Sequence, residues 1–268
     1  MEVANQIWDT SNIFAETAYY YAKYRPGYPK EVLEKLVTNL DLNKSSNVLD
    51  LGCGTGQIAI EIASYVNKVY AVDPQEDMLT EGKKIASEKE IANIEWINSE
   101  SSKIKSVFNE QDKIDATVIG RAFHWMNREE TLEDLYNVMS QNGSIAILGD
   151  SNFTKAKADW WNKVDEILEM VIGKRKAGTK GMYRHPEKLH EQVLNESKFG
   201  RCYKDTVKSK RKWTIEKVIG YLYSTSYCSL PIVGSKKNEL EGLLREQLAN
   251  YELEEDIEYD MFIVRNYH

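Results

Sequence analysis

The chain of 268 residues lacks several features that mark special classes of protein. None of its apolar runs approaches the roughly 18 to 20 residues that a membrane-spanning helix needs. Its N-terminus, MEVANQIWDT, has no basic-then-apolar leader, so we expect a cytoplasmic protein without a membrane anchor. Its three cysteines are an odd number at wide spacing, which excludes a disulfide framework and a paired-cysteine metal site. We expect no metal.

The chain also lacks an excess of positively charged residues. The formal net charge of −7 argues against broad nucleic-acid binding, because that affinity comes from clustered Lys and Arg. One local exception is residues 174–212, with thirteen Lys or Arg against four acids. This region is interpreted first as a solvated basic surface, and second as a site for an anionic acceptor or, less favourably, RNA. We expect a monomer or a homodimer.

Short apolar runs alternate with amphipathic helical segments through much of the chain. The pattern predicts helices at 56–63, 76–88 and 129–140, and strands at the following positions: 47–51, 68–73, 93–98, 114–119 and 144–149, then near 202–213 and 257–265. Strands that alternate with helices indicate a mostly parallel sheet covered on both faces. Such sheets bind ligands beyond the carboxyl ends of their strands.

The regular alternation of predicted strands and helices is interrupted after residue 150 and resumes near residue 202. We divide the chain into residues 1–150, an N-terminal arm and a ligand-binding core, residues 151–201, an inserted helical cap, and residues 202–268, the remaining strands and helices. The arm is predicted to be helical over 11–24. The turn at 25–29, which contains two prolines and a glycine, ends it.

The stretch NVLDLGCGTGQ, residues 47–57, places glycines at 52, 54 and 56 directly after a strand. A glycine-rich turn lets the backbone approach a ligand closely. The nicotinamide fingerprint G-x-G-x-x-G requires a glycine where this chain has Gln57. Asp50, two residues before Gly52, would repel a pyrophosphate but suits an amine or sulfonium. A purely structural turn is the remaining alternative.

A second acid ends the next strand. Asp73 lies 17 residues after Gly56, where a carboxylate can accept two hydrogen bonds from a ribose diol. The alternative for Asp73 is a cap for the helix that begins near Pro74. Together, Asp50, the glycines and Asp73 suit a nucleoside with a positively charged amino-acid tail. S-adenosylmethionine has that chemistry.

The stretches VLDLGCGTGQIAIEIA, VYAVDPQEDML, GRAFHWM and YRPGYP resemble the class I S-adenosylmethionine-dependent methyltransferases. The resemblance is to their small-molecule type 11 branch, which includes relatives of trans-aconitate methyltransferase and natural-product tailoring enzymes. It implies an α/β, doubly wound, Rossmann-like fold with seven mostly parallel strands, the last one antiparallel. S-adenosyl-L-homocysteine would be the product.

The resemblance also implies site residues. Those expected around the donor are Arg25, Asp50, Gly52, Cys53, Gly54, Gly56, Gln57, Asp73, Pro74, Met78, Ser99, Glu100, Ser101 and Arg121. Those expected around the acceptor are Tyr20, Tyr21, Tyr24, His124, Trp125 and Trp160, with Arg25 also considered for that side. His124 is the candidate general base, with a positioning role as its alternative.

The predicted reaction is transfer of a methyl group to an oxygen or nitrogen of a small molecule by in-line displacement. Three alternatives stay open at this point. An RNA or protein methyltransferase would use the same donor site, a non-catalytic module would bind the donor without turnover, and a nicotinamide dehydrogenase would bind a dinucleotide instead.

Overall fold

The computed structural model describes residues 17–109, 112–150, 158–173 and 188–266. Within these ranges seven strands form one sheet in the order β3-β2-β1-β4-β5-β7-β6. Their bounds are β1 Asn47–Leu51, β2 Lys68–Asp73, β3 Ile94–Asn98, β4 Ile114–Gly120, β5 Met139–Asp150, β6 Tyr203–Lys212 and β7 Glu254–Arg265. β1 to β5 pair in parallel, and β7 is antiparallel to both β5 and β6. The predicted seven-stranded Rossmann-like sheet is confirmed.

Eleven α-helices accompany the sheet in the described residues. They are α1 Ala18–Tyr24, α2 Lys30–Asn39, α3 Ala59–Ile62, α4 Glu76–Glu88, α5 Ile104–Val107, α6 Arg128–Val138, α7 Asp159–Ile172, α8 His190–Asn195, α9 Ile215–Tyr223, α10 Leu230–Val233 and α11 Lys237–Leu248. The predicted arm helix is described only from residue 17 onward, and the predicted cap only at 158–173 and 188–201. None of the helices in the described ranges combines the length and hydropathy that crossing a bilayer requires.

The two faces of the sheet are covered by different helices. Val48 packs in a cluster with residues of α2 and α3, whereas Leu49 and Leu51 pack on the opposite face with residues of α5, α6 and α8. Successive strand residues point to opposite faces, so a strand covered on both sides reads as a nearly continuous apolar run. Asp50 interrupts that run and lies at the edge where ligands bind.

Residues of α7, α9, α10 and α11 form a third apolar cluster. Trp160 and Val164 of α7 pack there with Trp213, with Leu222 of α9 and with Leu244 of α11. The arm is attached to the same group of helices, because the Tyr24 ring lies against Gly220 of α9. A Cβ at Gly220 would lie 2.2 Å from that ring. The boundaries proposed between arm, core and cap stay a prediction.

β6 and β7 carry opposite charges along their shared edge. Lys204 pairs with Asp260 at 3.0 Å, and four further basic residues of β6 pair with acids of β7. The last strand begins at Glu254, earlier than the predicted position 257. The acids at its start pair with the basic residues of β6 and extend the strand. The described part of the basic region 174–212 is therefore largely neutralised.

Candidate active site

The turn after β1 has glycine at three positions with positive φ. Gly52, Gly54 and Gly56 have φ angles of 73°, 54° and 76°, values that residues with a Cβ rarely adopt. A Cβ at Gly52 would lie 2.6 Å from Ala122 Cβ, and one at Gly56 would lie 2.5 Å from the Trp96 ring. This turn extends to residue 58, so α3 begins at Ala59 and is shorter than the predicted helix 56–63.

Asp50 is a buried carboxylate behind this turn. Its Oδ2 accepts a hydrogen bond from the backbone N–H of Ala59 at 2.9 Å. Burial raises the pKa of Asp50 to about 7, and the negative charge of Asp73 adds to the shift. A cationic group placed beside Asp50 would stabilise its ionised form. The site therefore favours an ammonium group there.

Asp73 is the last residue of β2, and its carboxylate binds the backbone of the glycine loop that follows β1. Its Oδ2 accepts the backbone N–H of Gly54 and its Oδ1 accepts that of Gln75, both at 2.9 Å. Burial raises the pKa of Asp73, while these two hydrogen bonds oppose the shift. The carboxylate thus fixes the glycine loop and the approach to α4. Each oxygen also has a second lone pair with which to accept a hydroxyl of a ligand.

A small cavity opens between the loop and the arm. Its walls include Tyr21, Tyr28, Asp50, Gly52, Gln57 and Arg121. Within the described part of the chain, one of these residues has a buried polar atom without a partner, namely Tyr28 Oη. Buried polar groups without a partner are uncommon in proteins and call for an explanation. A bound carboxylate could accept from the Tyr28 hydroxyl while Asp50 holds an ammonium, which is the pattern of an amino-acid tail.

Arg121 directly follows β4 in a left-handed conformation, with φ 55°. Its Nε donates to Asp150 Oδ1 at 2.9 Å, its Nη2 lies 2.8 Å from the same oxygen, and its Nη1 donates to the Pro26 carbonyl at 2.7 Å. Its guanidinium also stacks on the Tyr28 ring, 4.5 Å from the ring centre. Arg121 therefore joins the end of β4 to the turn that follows the arm.

The arm covers the loop through two of its residues. A Cβ at Gly54 would be 3.5 Å from the Tyr21 ring, and Gln57 Nε2 donates to the Arg25 carbonyl at 2.8 Å. The other predicted tyrosines lie differently. Tyr20 packs edge-on against Tyr223 with 5.3 Å between ring centres, and Tyr24 lies on Gly220. These two contacts place Tyr20 and Tyr24 between the arm and α9.

The predicted adenine side follows β2 and β3. Met78 is buried, and the Ser99 N–H donates to the Asp73 carbonyl at 3.2 Å. Asn98 Nδ2 donates to the Pro74 carbonyl at 3.0 Å, so the segment that leads into Glu100 and Ser101 is tied to the end of β2.

His124 and Trp125 lie in a short 3-10 turn, Phe123–Trp125, directly after β4 and Arg121. Their rings are 4.8 Å apart and both residues are half-buried. Trp160, by contrast, is only 2% exposed, and its Nε1 donates to the Glu254 carbonyl at 2.7 Å. Trp160 stacks on its neighbour Trp161 with 4.3 Å between ring centres. Trp160 lies in the helical cluster and not on the cavity.

Comparison with known proteins decides the family. Residues 42–207 match a family model described as a methyltransferase domain, which covers more than half of the chain. The chain belongs to the class I S-adenosylmethionine-dependent methyltransferases.

Individual relatives agree with this family. An uncharacterised methyltransferase of Schizosaccharomyces pombe is 29% identical over 154 residues, which cover 57% of each chain. A Saccharomyces cerevisiae protein named a probable S-adenosylmethionine-dependent methyltransferase is 24% identical over 47% of this chain and 43% of its own. The enzyme thus spans about half the length of these relatives. The YcgJ protein of Bacillus subtilis has the same fold, with a TM-score of 0.57, 11% identity and coverage of 90% and 100%.

The residues around the glycine loop are chemically suited to S-adenosylmethionine. The glycine loop leaves no room for a Cβ at two positions, Asp50 suits the ammonium, and Tyr28 Oη suits the carboxylate. The sequence interpretation included Arg121 but missed Tyr28. Its position in YRPGYP, beside an arginine and between two prolines, is the signal in the sequence that could have identified it.

Proposed function

We propose that this methyltransferase acts on a small molecule and transfers the methyl group to an oxygen or nitrogen nucleophile. The observation that carries the proposal is the covered loop. Tyr21 lies over Gly54, and the carbonyls of Arg25 and Pro26 accept hydrogen bonds from Gln57 and Arg121. An acceptor must reach the donor beside this arm, which favours a small ligand over a folded macromolecule.

Bound S-adenosylmethionine would supply a methyl group on a positively charged sulfur. In our proposal Asp50, the three glycines, Asp73, Tyr28 and Arg121 hold the donor, with Met78 and the 99–101 turn near the adenine. The arm excludes water and restricts the direction of approach. Alignment of this kind supplies much of the rate of a displacement reaction. The protein residues need no covalent role.

The acceptor side is formed in this proposal by Tyr21, Arg25, His124 and Trp125. His124 follows β4 closely and is half-buried, so it could take a proton from a hydroxyl or amine acceptor. A carboxylate acceptor is already ionised and would require no base. We place the reaction in the cytoplasm.

The neutralised edge strand supports the same choice of acceptor. An RNA-binding surface requires basic side chains that are available to phosphates. In the described part of the region 174–212, Lys204, Lys208 and Arg211 each pair with an acid of β7. This pairing weakens the case for an RNA acceptor.

The test is a labelling experiment. Purified protein is incubated with methyl-labelled S-adenosylmethionine and a deproteinised metabolite extract, total RNA or a denatured protein extract, each in a separate reaction. We expect label in the metabolite fraction alone, and none with an Asp50→Ala variant. Label that appears only in RNA or protein would overturn the proposal, and no label in any fraction would favour a non-catalytic module.

A further inference from the structure

Trp96 touches glycines of two different elements. It lies on β3, at one edge of the sheet, and the outer edge of its six-membered ring faces both Gly56, in the glycine loop, and Gly82, in α4. A Cβ at either glycine would lie 2.5 Å from Cη2 of the ring. Protein interiors are packed too densely to allow such an overlap, so the ring occupies the space that two side chains would otherwise need.

The glycine at position 82 is explained by this packing and not by the backbone. Gly82 is a buried residue in the interior of α4, where glycine is less favourable than alanine and a helical backbone does not require it. A Cβ there would also lie 3.1 Å from the Thr55 carbonyl oxygen of the glycine loop. An isolated glycine inside a helix commonly marks a close approach. Here α4 approaches both the Trp96 ring and the backbone of the loop.

The glycine loop and α4 are therefore joined at two points. At one point, the Asp73 carboxylate accepts the backbone N–H of Gly54, in the loop, and that of Gln75, directly before α4. At the other point, the Trp96 ring lies against both elements. The loop carries the three glycines of the donor site, and α4 carries Met78. The ring thus supports two walls of the same site at once.

We propose that Trp96 is a positioning residue for the methyl donor, because its ring sets the separation between the glycine loop and α4 and thereby the fit of S-adenosylmethionine. A binding site loses affinity when the residues that support its walls no longer hold them in place. Phenylalanine is also apolar and aromatic, but its smaller ring does not reach as far. Trp96→Phe therefore removes the ring atoms that meet the two glycines and keeps an aromatic side chain on β3.

The test is a double-mutant cycle in which calorimetry measures the affinity for S-adenosylhomocysteine. We expect Gly82→Ala to weaken binding about tenfold, because the added methyl group forces α4 and the ring apart. Trp96→Phe should also weaken binding about tenfold, because the loop loses its support. The control is Gly242→Ala in α11. Among the described residues nothing lies within 4 Å of a Cβ at position 242, so binding should be unchanged.

The double variant decides whether the ring and the glycine act together. Phenylalanine leaves room for the methyl group at position 82, so the combined loss should be at least about threefold smaller than the product of the two single losses. Losses that simply multiply would overturn the inference, and so would unchanged affinity in Trp96→Phe.

All titrations are made well below the melting temperature of each variant, so that weaker binding reports the site and not unfolding. Trp96→Phe removes atoms and adds none, so its affinity tests the inference even if Gly82→Ala does not fold. The labelling experiment tests the proposed function separately, because it depends on an acceptor and the cycle does not.

Discussion

Asp73 accepts the backbone N–H of Gly54 at 2.9 Å, so the acid that ends β2 holds in place the loop that follows β1. The carboxylate therefore has a structural partner before any donor arrives. A ribose diol would use the remaining lone pairs of oxygens that are already oriented. Preorganisation of this kind lowers the entropic cost of binding.

The first prediction concerns Asp73→Ala. We expect weaker binding of S-adenosylhomocysteine by about 1–3 kcal/mol, because charged hydrogen bonds to the ribose are lost and the loop loses its anchor. Calorimetry measures the change. Asp77→Ala removes an exposed acid of the same region and should leave the affinity unaltered. Equal affinities of wild type and Asp73→Ala would remove Asp73 from the donor site.

The second prediction concerns pH. Burial raises the pKa of Asp50 to about 7, so the carboxylate ionises as pH rises through that value. Affinity for S-adenosylhomocysteine should increase between pH 6 and 8, because the donor ammonium prefers the ionised form. In Asp50→Asn the affinity should be lower and nearly independent of pH over this range. A flat profile in the wild-type protein would contradict the assignment.

The free energy of unfolding of the ligand-free protein should fall as pH rises, whereas the affinity for S-adenosylhomocysteine should increase. The unfolded chain ionises Asp50 near pH 4, whereas the folded chain retains the proton up to about pH 7. The folded state thus binds more protons in this window, and the contribution of Asp50 to the free energy of unfolding falls as pH rises across it. Urea titrations of ligand-free wild type and Asp50→Asn at several pH values isolate that contribution.

A third prediction uses the buried hydroxyl of Tyr28. Tyr28→Phe removes an unpaired polar atom, so the melting temperature of the ligand-free protein should stay the same or rise. Affinity for S-adenosylhomocysteine should fall by about 1 kcal/mol, since one hydrogen bond to its carboxylate is lost. Decarboxylated S-adenosylmethionine should bind both proteins equally. If it discriminates between them, the hydroxyl has another partner.

A fourth prediction concerns Gly56. Gly56→Ala places a Cβ 2.5 Å from the Trp96 ring at a positive φ, so we expect a loss of about 2–4 kcal/mol in the free energy of unfolding. Urea denaturation followed by circular dichroism measures it. Gly27→Ala is the control, because nothing lies within 4 Å of a Cβ at that position. A loss in Gly56→Ala no larger than in Gly27→Ala would contradict the crowding seen at Trp96.

Much of the donor half could be predicted from the sequence because its signals are local. These signals lie within 27 residues, Asn47 to Asp73. They are the apolar pattern of β1, the glycines after it and the acid that ends β2. The boundaries of α3 and β7 were less accurate. α3 is shortened by the positive-φ turn, and β7 is extended by its pairing with β6.

The acceptor half depends on contacts between distant segments. The sequence analysis expected Trp160 beside the acceptor because a large aromatic ring can pack against a planar substrate. In the structure, Trp160 packs in the helical cluster with Trp213, which is 53 residues further along the chain. Arg25 was first grouped with the donor residues, and its place between the Tyr21 and Tyr221 rings becomes visible only when α9 brings Tyr221 beside it. Spacing along the chain does not report such contacts.

The sequence by itself determined the sheet, the glycine loop with its two acids, and the donor, because each follows from short-range pattern and residue chemistry. Only the tertiary structure decided which polar groups lack a partner. Tyr28 Oη is buried without a partner among the described residues, and Arg25 lies between two rings, because the arm, β4 and α9 converge there. Whether a polar group is paired depends on its neighbours in space, and those are set by packing.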